Sequence, residues 1–94
     1  MDKSKGIKVS EKHINESIKT VMGKMHRKTA KNGGYTNEST HEIYGKIAEE
    51  MHELLIELHS NKMGLFIDEL EDVAVAAIWG IASMKNLHER GIYK

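Results

Sequence analysis

EEMHELLIELHSNKMGLFIDELED, residues 49–72, is the stretch whose reading decides the fold. Two acidic clusters, Glu49-Glu50-Met51-His52-Glu53 and Glu69-Leu70-Glu71-Asp72, sit in hydrophobic helical patterns on either side of Ser60-Asn61-Lys62. A turn centred on Asn61 makes the two helices an antiparallel hairpin. Residues whose numbers sum to 122 then face each other, which pairs Glu53 with Glu69 and Glu50 with Asp72. At a rise of roughly 1.5 Å per residue, both pairs lie about 12 to 17 Å from the turn, so four carboxylates converge in one layer.

Working outward, Ser39 with Glu42 three residues later fits a capping box that opens the first helix of the hairpin. Ile43, Tyr44, Ile47, Met51, Leu54, Leu55 and Leu58 give it a wide apolar stripe ending near His59. The second helix starts near Met63 and runs to about Asn86, with Leu65, Phe66, Leu70, Val73, Ala77, Ile81 and Met84 on its core side. Between Val73 and Ala82 it has no polar residue, so it is apolar on all sides there, and two partner helices of the same chain leave part of it uncovered. A second subunit is expected to cover it. Gly80 has two readings: with Ala76 it admits another backbone, or it makes room for Trp79 or Phe66 within one chain.

Upstream, Ser10 is an N-cap for a helix with Ile14, Ile18, Val21, Met22 and Met25 at helical spacing, ending at Asn32-Gly33-Gly34. Residues 1–9 read as a flexible basic arm, residues 10–94 as one all-α domain, and His88 to Lys94 as a frayed end. There is no proline, no strand-like alternation and no internal repeat. The fold class is therefore all-α: a three-helix chain with a central antiparallel hairpin, oligomerising into a helical bundle.

The 94 residues have no cysteine, which excludes disulfides and thiolate metal sites and leaves oxygen or imidazole ligands, a set that favours hard cations. Folding of so short a chain buries only about 60–65% of its unfolded surface, a marginal amount for a monomer. The longest apolar run is about half of the roughly 20 residues a membrane span needs, so a soluble cytoplasmic protein is expected. Net charge is zero, yet residues 1–35 carry +6 and residues 36–72 carry −8. An acidic cation-binding centre beside a basic anion-holding rim fits this polarity; a solvated basic arm fits the first part equally well. Lys24, Arg27, Lys28 and Lys31 are the candidate phosphate contacts, although cations near a helix C-terminus are also favoured by the macrodipole alone.

Glu53 borders Glu49 and Glu50 on one helix face, and Asp72 borders Asp68 and Glu69. Each like-charge pair costs about 0.2–0.5 kcal/mol on an isolated helix. Between Glu49 and Asp72 the only base is Lys62 in the turn, so the repulsion has no local compensation. A solvated acidic face is one account; the coincidence of two pairs on one level favours the other, a site for Mg²⁺ with Mn²⁺ as its substitute.

Glu49-Glu50-x-x-Glu53, fifteen intervening residues and Glu69-x-x-Asp72 resemble the E-E-x-x-E and E-x-x-D signature of the all-α nucleoside triphosphate pyrophosphohydrolases of the MazG-like type. Ile47-Ala48 and Val73-Ala74-Val75-Ala76-Ala77 are similar to that family's flanking text, and the resemblance spans about residues 36–86. It implies that Glu50, Glu53, Glu69 and Asp72 are Mg²⁺ ligands, that Glu49 is a further ligand or water-orienting base, and that Glu49 and Glu53 serve catalysis. It also implies a nucleoside triphosphate substrate, cleavage at the α–β phosphoanhydride, and a homodimer or homotetramer. Family domains commonly carry a fourth helix after the hairpin. Without one, a base pocket is expected from helix one, the Tyr35 connection or another subunit, with Tyr35 and Tyr44 as stacking candidates and Trp79 as core.

Other chemistries fit the sequence less well. Glu38-x-x-His41 and Glu49-x-x-His52 have di-iron spacing but lie along one segment, and no i,i+4 histidine pair of a zinc helix is present. The rival from another class is a non-catalytic helical oligomer that binds a nucleotide or a partner protein. Nucleic acid is disfavoured, because the bases are not interleaved with aromatics and the net charge is zero.

Overall fold

The computed structural model describes residues 6–92. It contains three helices, α1 (Glu11–Asn32), α2 (Thr40–Ser60) and α3 (Met63–Glu89), and no strand among the described residues. Of the basic arm expected over residues 1–9, residues 1–5 lie outside the described part, as do residues 93 and 94; residues 6–10 have no regular structure.

Each helix begins and ends where local chemistry requires. Ser10 has extended backbone and its hydroxyl accepts the His13 N–H at 3.1 Å, which starts α1. Gly33 stops it with φ 80°, and its N–H reaches Thr29 O at 2.9 Å. Ser39 starts α2 by accepting the Glu42 N–H at 3.1 Å, while the Glu42 carboxylate accepts the Glu38 N–H at 2.9 Å. Asn61 ends α2 at φ 59°, a left-handed conformation that asparagine tolerates, and with Lys62 it leads into α3. α3 extends one turn beyond the expected Asn86, to Glu89.

α3 is the spine. Both α1 and α2 pack on it, whereas no Cα of α1 comes within 8 Å of one in α2. The connection between α1 and α2 is fastened to α3 by the most buried polar pair in the described chain. Asn37 N donates to Ser83 Oγ at 2.9 Å, Ser83 Oγ donates to Asn37 Oδ1 at 3.5 Å, and the two residues are 4% and 2% exposed. On the α2 side, a Cβ added to Gly80 would lie 2.6 Å from Ile43 Cγ2. The glycine therefore makes room for Ile43, not for Trp79 or Phe66 as one sequence reading had it.

The expected core is largely uncovered. Ile14, Ile18 and Met22 of α1, Met51, Leu55 and Leu58 of α2, and Leu65, Leu70 and Ile81 of α3 are all between 44% and 57% exposed. Val75 is the one buried large apolar residue among those described. The reason is geometric: α1 and α2 cover only part of α3, and α2 turns Ile43, Ile47, Glu50, Leu54 and Glu57 toward partial burial while its broader stripe faces outward. The molecule measures 52 × 29 × 25 Å with a radius of gyration of 16.1 Å. A compact domain of this length has about 12 Å. No helix among the described residues is long and apolar enough to cross a membrane.

Candidate functional site

The residues that carry chemistry meet where the middles of all three helices converge. Glu50 of α2 and Glu69 and Asp72 of α3 each offer a carboxylate oxygen within 4.8 Å of the other two. Glu69 and Asp72 share a face because they are three residues apart on one helix, and packing of α2 on α3 brings Glu50 to them. Glu53, the fourth residue of the expected set, is not one of the trio but stands near Glu50 and Glu69, where its charge acts on both.

The electrostatics are unfavourable and uncompensated on the α2 side. Glu50 Oε2 and Glu69 Oε2 are shielded from solvent and have no hydrogen-bond partner. Burial first, then the charges of Glu53, Asp72 and Glu69, push the Glu50 carboxyl up from 4.5 to about 7. Burial also raises Glu69, with Asp72 and Glu53 adding to it.

On the α1 side the charge is answered. Lys24 reaches α3, where its Nζ lies 2.6 Å from Asp68 Oδ1, 3.0 Å from Asp72 Oδ1, 3.2 Å from Glu71 Oε1 and 3.0 Å from the Asp68 carbonyl oxygen. Burial pulls the ammonium's pKa down, but the bonds to Asp68, Asp72 and Glu71 outweigh it and raise the pKa overall. Asp72 therefore belongs to both groups.

Above the trio opens a cleft of about 540 Å³ whose walls carry opposite charge. Lys24, Arg27 and Lys28 of α1 and Lys46 of α2 line the basic part, Glu49, Glu50 and Asp72 the acidic part, and Val75 and Ala76 the floor. Lys28 is half-buried, with Nζ 5.0 Å from the centre of the Trp79 ring. Burial lowers its pKa, and the nearby Lys46 charge lowers it further. Two cations from helices that do not pack together thus face the same space.

Of the sequence candidates, Lys24, Arg27, Lys28, Glu49, Glu50 and Asp72 line this cleft, and Lys31 does not. Tyr44 is 77% exposed and away from it. Tyr35 borders a separate cavity of about 140 Å³ with Trp79, Ser83 and Asn86, and its carbonyl accepts the Trp79 indole N–H at 3.0 Å. Lys46 is the lining residue that sequence reasoning passed over. The signal was present: it precedes Glu49 and Glu50 by three and four residues, which places it on their face.

The carboxylates gathered in this region suit a hard, oxygen-seeking cation. The fit of the trio is specific: three oxygens from two helices, two of the residues each holding a shielded oxygen with no partner. Compared with known proteins, the chain matches no family model, no curated protein and no solved structure.

Proposed function

We propose that the protein is a Mg²⁺-dependent nucleoside triphosphate pyrophosphohydrolase, with Mn²⁺ as an alternative ion. The observation that carries this reading is the cleft with Glu49, Glu50 and Asp72 at one wall and Arg27, Lys28 and Lys46 at the other, two of those carboxylates meeting Glu69 in the trio. A nucleoside triphosphate has the matching polarity: a chain of negative phosphates that needs cations along its length and a divalent ion at the bond to be broken. Glu50, Glu69 and Asp72 would hold the ion, with Glu53 beside them as a fourth carboxylate that the ion's charge would also neutralise. Bound there, Mg²⁺ supplies neutralisation of phosphate charge and acidification of a water.

The remaining steps fall to the chain. Arg27, Lys28 and Lys46 bind and align the phosphates, and Val75 and Ala76 keep the floor of the cleft apolar. Glu49, exposed at the acidic wall, accepts the proton of the attacking water as its oxygen adds to the α-phosphorus. The bond from the α-phosphorus to the bridging oxygen breaks, and pyrophosphate leaves with the electron pair while the nucleoside monophosphate remains.

The reading includes an antiparallel pairing of α2 with α3 and a second copy of the chain. The two-residue link and the nearness of Glu50 to Asp72 support the first. The uncovered apolar surface of the three helices supports the second. Exposed apolar residues on α1, α2 and α3 supply that surface, including an apolar groove of about 510 Å³ that involves Ile43, Ile47, Ala77 and Ile81.

The test is direct. Purified protein with Mg²⁺ and a panel of nucleoside triphosphates releases pyrophosphate, and Glu53→Gln lowers the rate by about 10- to 100-fold. Tight nucleotide binding without turnover in Mg²⁺ or Mn²⁺ overturns the enzymatic reading in favour of a nucleotide-binding helical oligomer.

A further inference from the structure

Lys24 is seated unlike an ordinary surface ion pair. Its side chain is 16% exposed, and its Nζ lies among oxygens of three carboxylates and one backbone carbonyl at 2.6–3.2 Å. The residue comes from α1 and the oxygens from α3, 44 to 48 positions further along the chain. Such a cage of hard oxygens is what a divalent cation takes. It adjoins the Glu50, Glu69 and Asp72 trio through a shared residue, Asp72. Sites that hold two ions about 3.5–4 Å apart are built the same way, with a carboxylate common to both.

We propose that the Lys24 ammonium is the permanent second cation of this centre, filling the position that a second divalent ion occupies in two-metal sites. The protein consequently takes one divalent ion per protomer where its carboxylates are numerous enough for two. This rests on the metal-dependent reading above and adds to it the stoichiometry and the role of one residue. Occupancy supports it. Nζ already holds oxygens of Asp68, Glu71 and Asp72 and the Asp68 carbonyl, so a divalent ion seated in the same cage would meet the ammonium at short range and repel it, whereas removal of the ammonium leaves those oxygens as an empty cage. Lys24 also lines the cleft, so the fixed charge contributes to the field that a phosphate chain meets there. A divalent ion in its place would depend on supply; an ammonium on α1 is present whenever α1 is docked.

Counting bound ions tests this without reference to turnover. Mn²⁺ binding is measured by electron paramagnetic resonance and calorimetry on wild type, Lys24→Arg and Lys24→Met. Wild type and Lys24→Arg each bind one Mn²⁺ per protomer, and Lys24→Met binds two with a bound-ion spectrum broadened by the neighbouring spin. A Lys24→Met protein that binds one ion with wild-type affinity overturns the inference and leaves the metal centre standing. So does a wild type that binds two ions. A wild type that binds none sinks the metal centre and the inference with it. A measurement on the unaltered chain decides the matter if Lys24→Met fails to fold. Reductive methylation of wild type spares Lys24 relative to Lys12 and Lys19, with and without Mn²⁺. Labelling of Lys24 at the Lys19 rate once Mn²⁺ is added means that the ion displaces the ammonium, which overturns the inference.

Discussion

Gly80→Ala tests the closest approach in the fold. In an ordinary helix interior the substitution stabilises by about 0.8–1 kcal/mol, because alanine is the best helix former and glycine among the poorest. Here the new methyl meets Ile43 Cγ2 at 2.6 Å, with Ile43 Cδ1 and Cγ1 at 3.5 Å. Ile43 is β-branched and stiff at χ1, and it is anchored in the first turn of α2, so the methyl group has little freedom to move aside. Overpacking of this kind costs about 1–3 kcal/mol. Set against the propensity gain, the clash leaves a net loss of up to about 2 kcal/mol. For a domain of this size that lowers the thermal midpoint by up to roughly 15 °C. The assay is thermal and urea unfolding at one fixed protein concentration, since an associating chain is stabilised by mass action. A double-mutant cycle with Ile43→Ala isolates the contact: the pair is less destabilised than the sum of the two single changes, by at least about 1 kcal/mol. A Gly80→Ala protein that is more stable than wild type by about 0.8–1 kcal/mol refutes the reasoning, because Gly80 would then be an ordinary helix glycine and α2 would not pack there.

Three further outcomes follow from named contacts. Glu50 is pushed up to about 7, so the native metal-free state holds this proton more tightly than the unfolded chain does; ionising Glu50 costs stability progressively from about pH 4.5 to 7. Because the group is only half-buried, screening reduces the cost to about 1–2 kcal/mol. Glu50→Gln thus matches wild type near pH 4, exceeds it at pH 8 in chelator, and gains nothing from Mg²⁺; a stability difference flat with pH in unfolding curves contradicts this. Ser83→Ala strands the Asn37 N–H in a buried position and costs about 1–3 kcal/mol, read as a fall in the urea midpoint at unchanged slope. Leu55→Glu places a charge on the exposed apolar side of α2 and shifts light-scattering mass toward the monomer, whereas wild type scattering as a monomer at micromolar concentration would contradict the expected assembly.

What could be read from the sequence, and what could not, divides along the range of the forces involved. Helix ends are set within four residues, by a hydroxyl on an N–H at Ser10 and Ser39 and by left-handed backbone at Gly33 and Asn61, and they stand where the text put them. The meeting of Glu50 with Asp72 was legible for a related reason: a link of Asn61 and Lys62 leaves little choice of register between α2 and α3. Lys24 was different. Its sequence neighbours place it in a basic cluster near a helix end, and nothing within α1 says that its ammonium crosses to Asp68, Glu71 and Asp72 on α3. Apolar periodicity has the same blindness. It marks Met51, Leu55 and Leu58 as one side of α2 but does not specify what covers them, and the side turned to α3 carries Glu50 and Glu57 among Ile43, Ile47 and Leu54. The two failures have one physical origin. A helix that presents carboxylates to its intramolecular partner must send its broad apolar face elsewhere, so the features that form the acidic centre are also those that leave the hydrophobic surface uncovered. The acidic cluster and the uncovered apolar surface are then linked through the orientation of α2, and a change that rotates α2 to bury Leu55 would carry Glu50 away from Glu69 and Asp72.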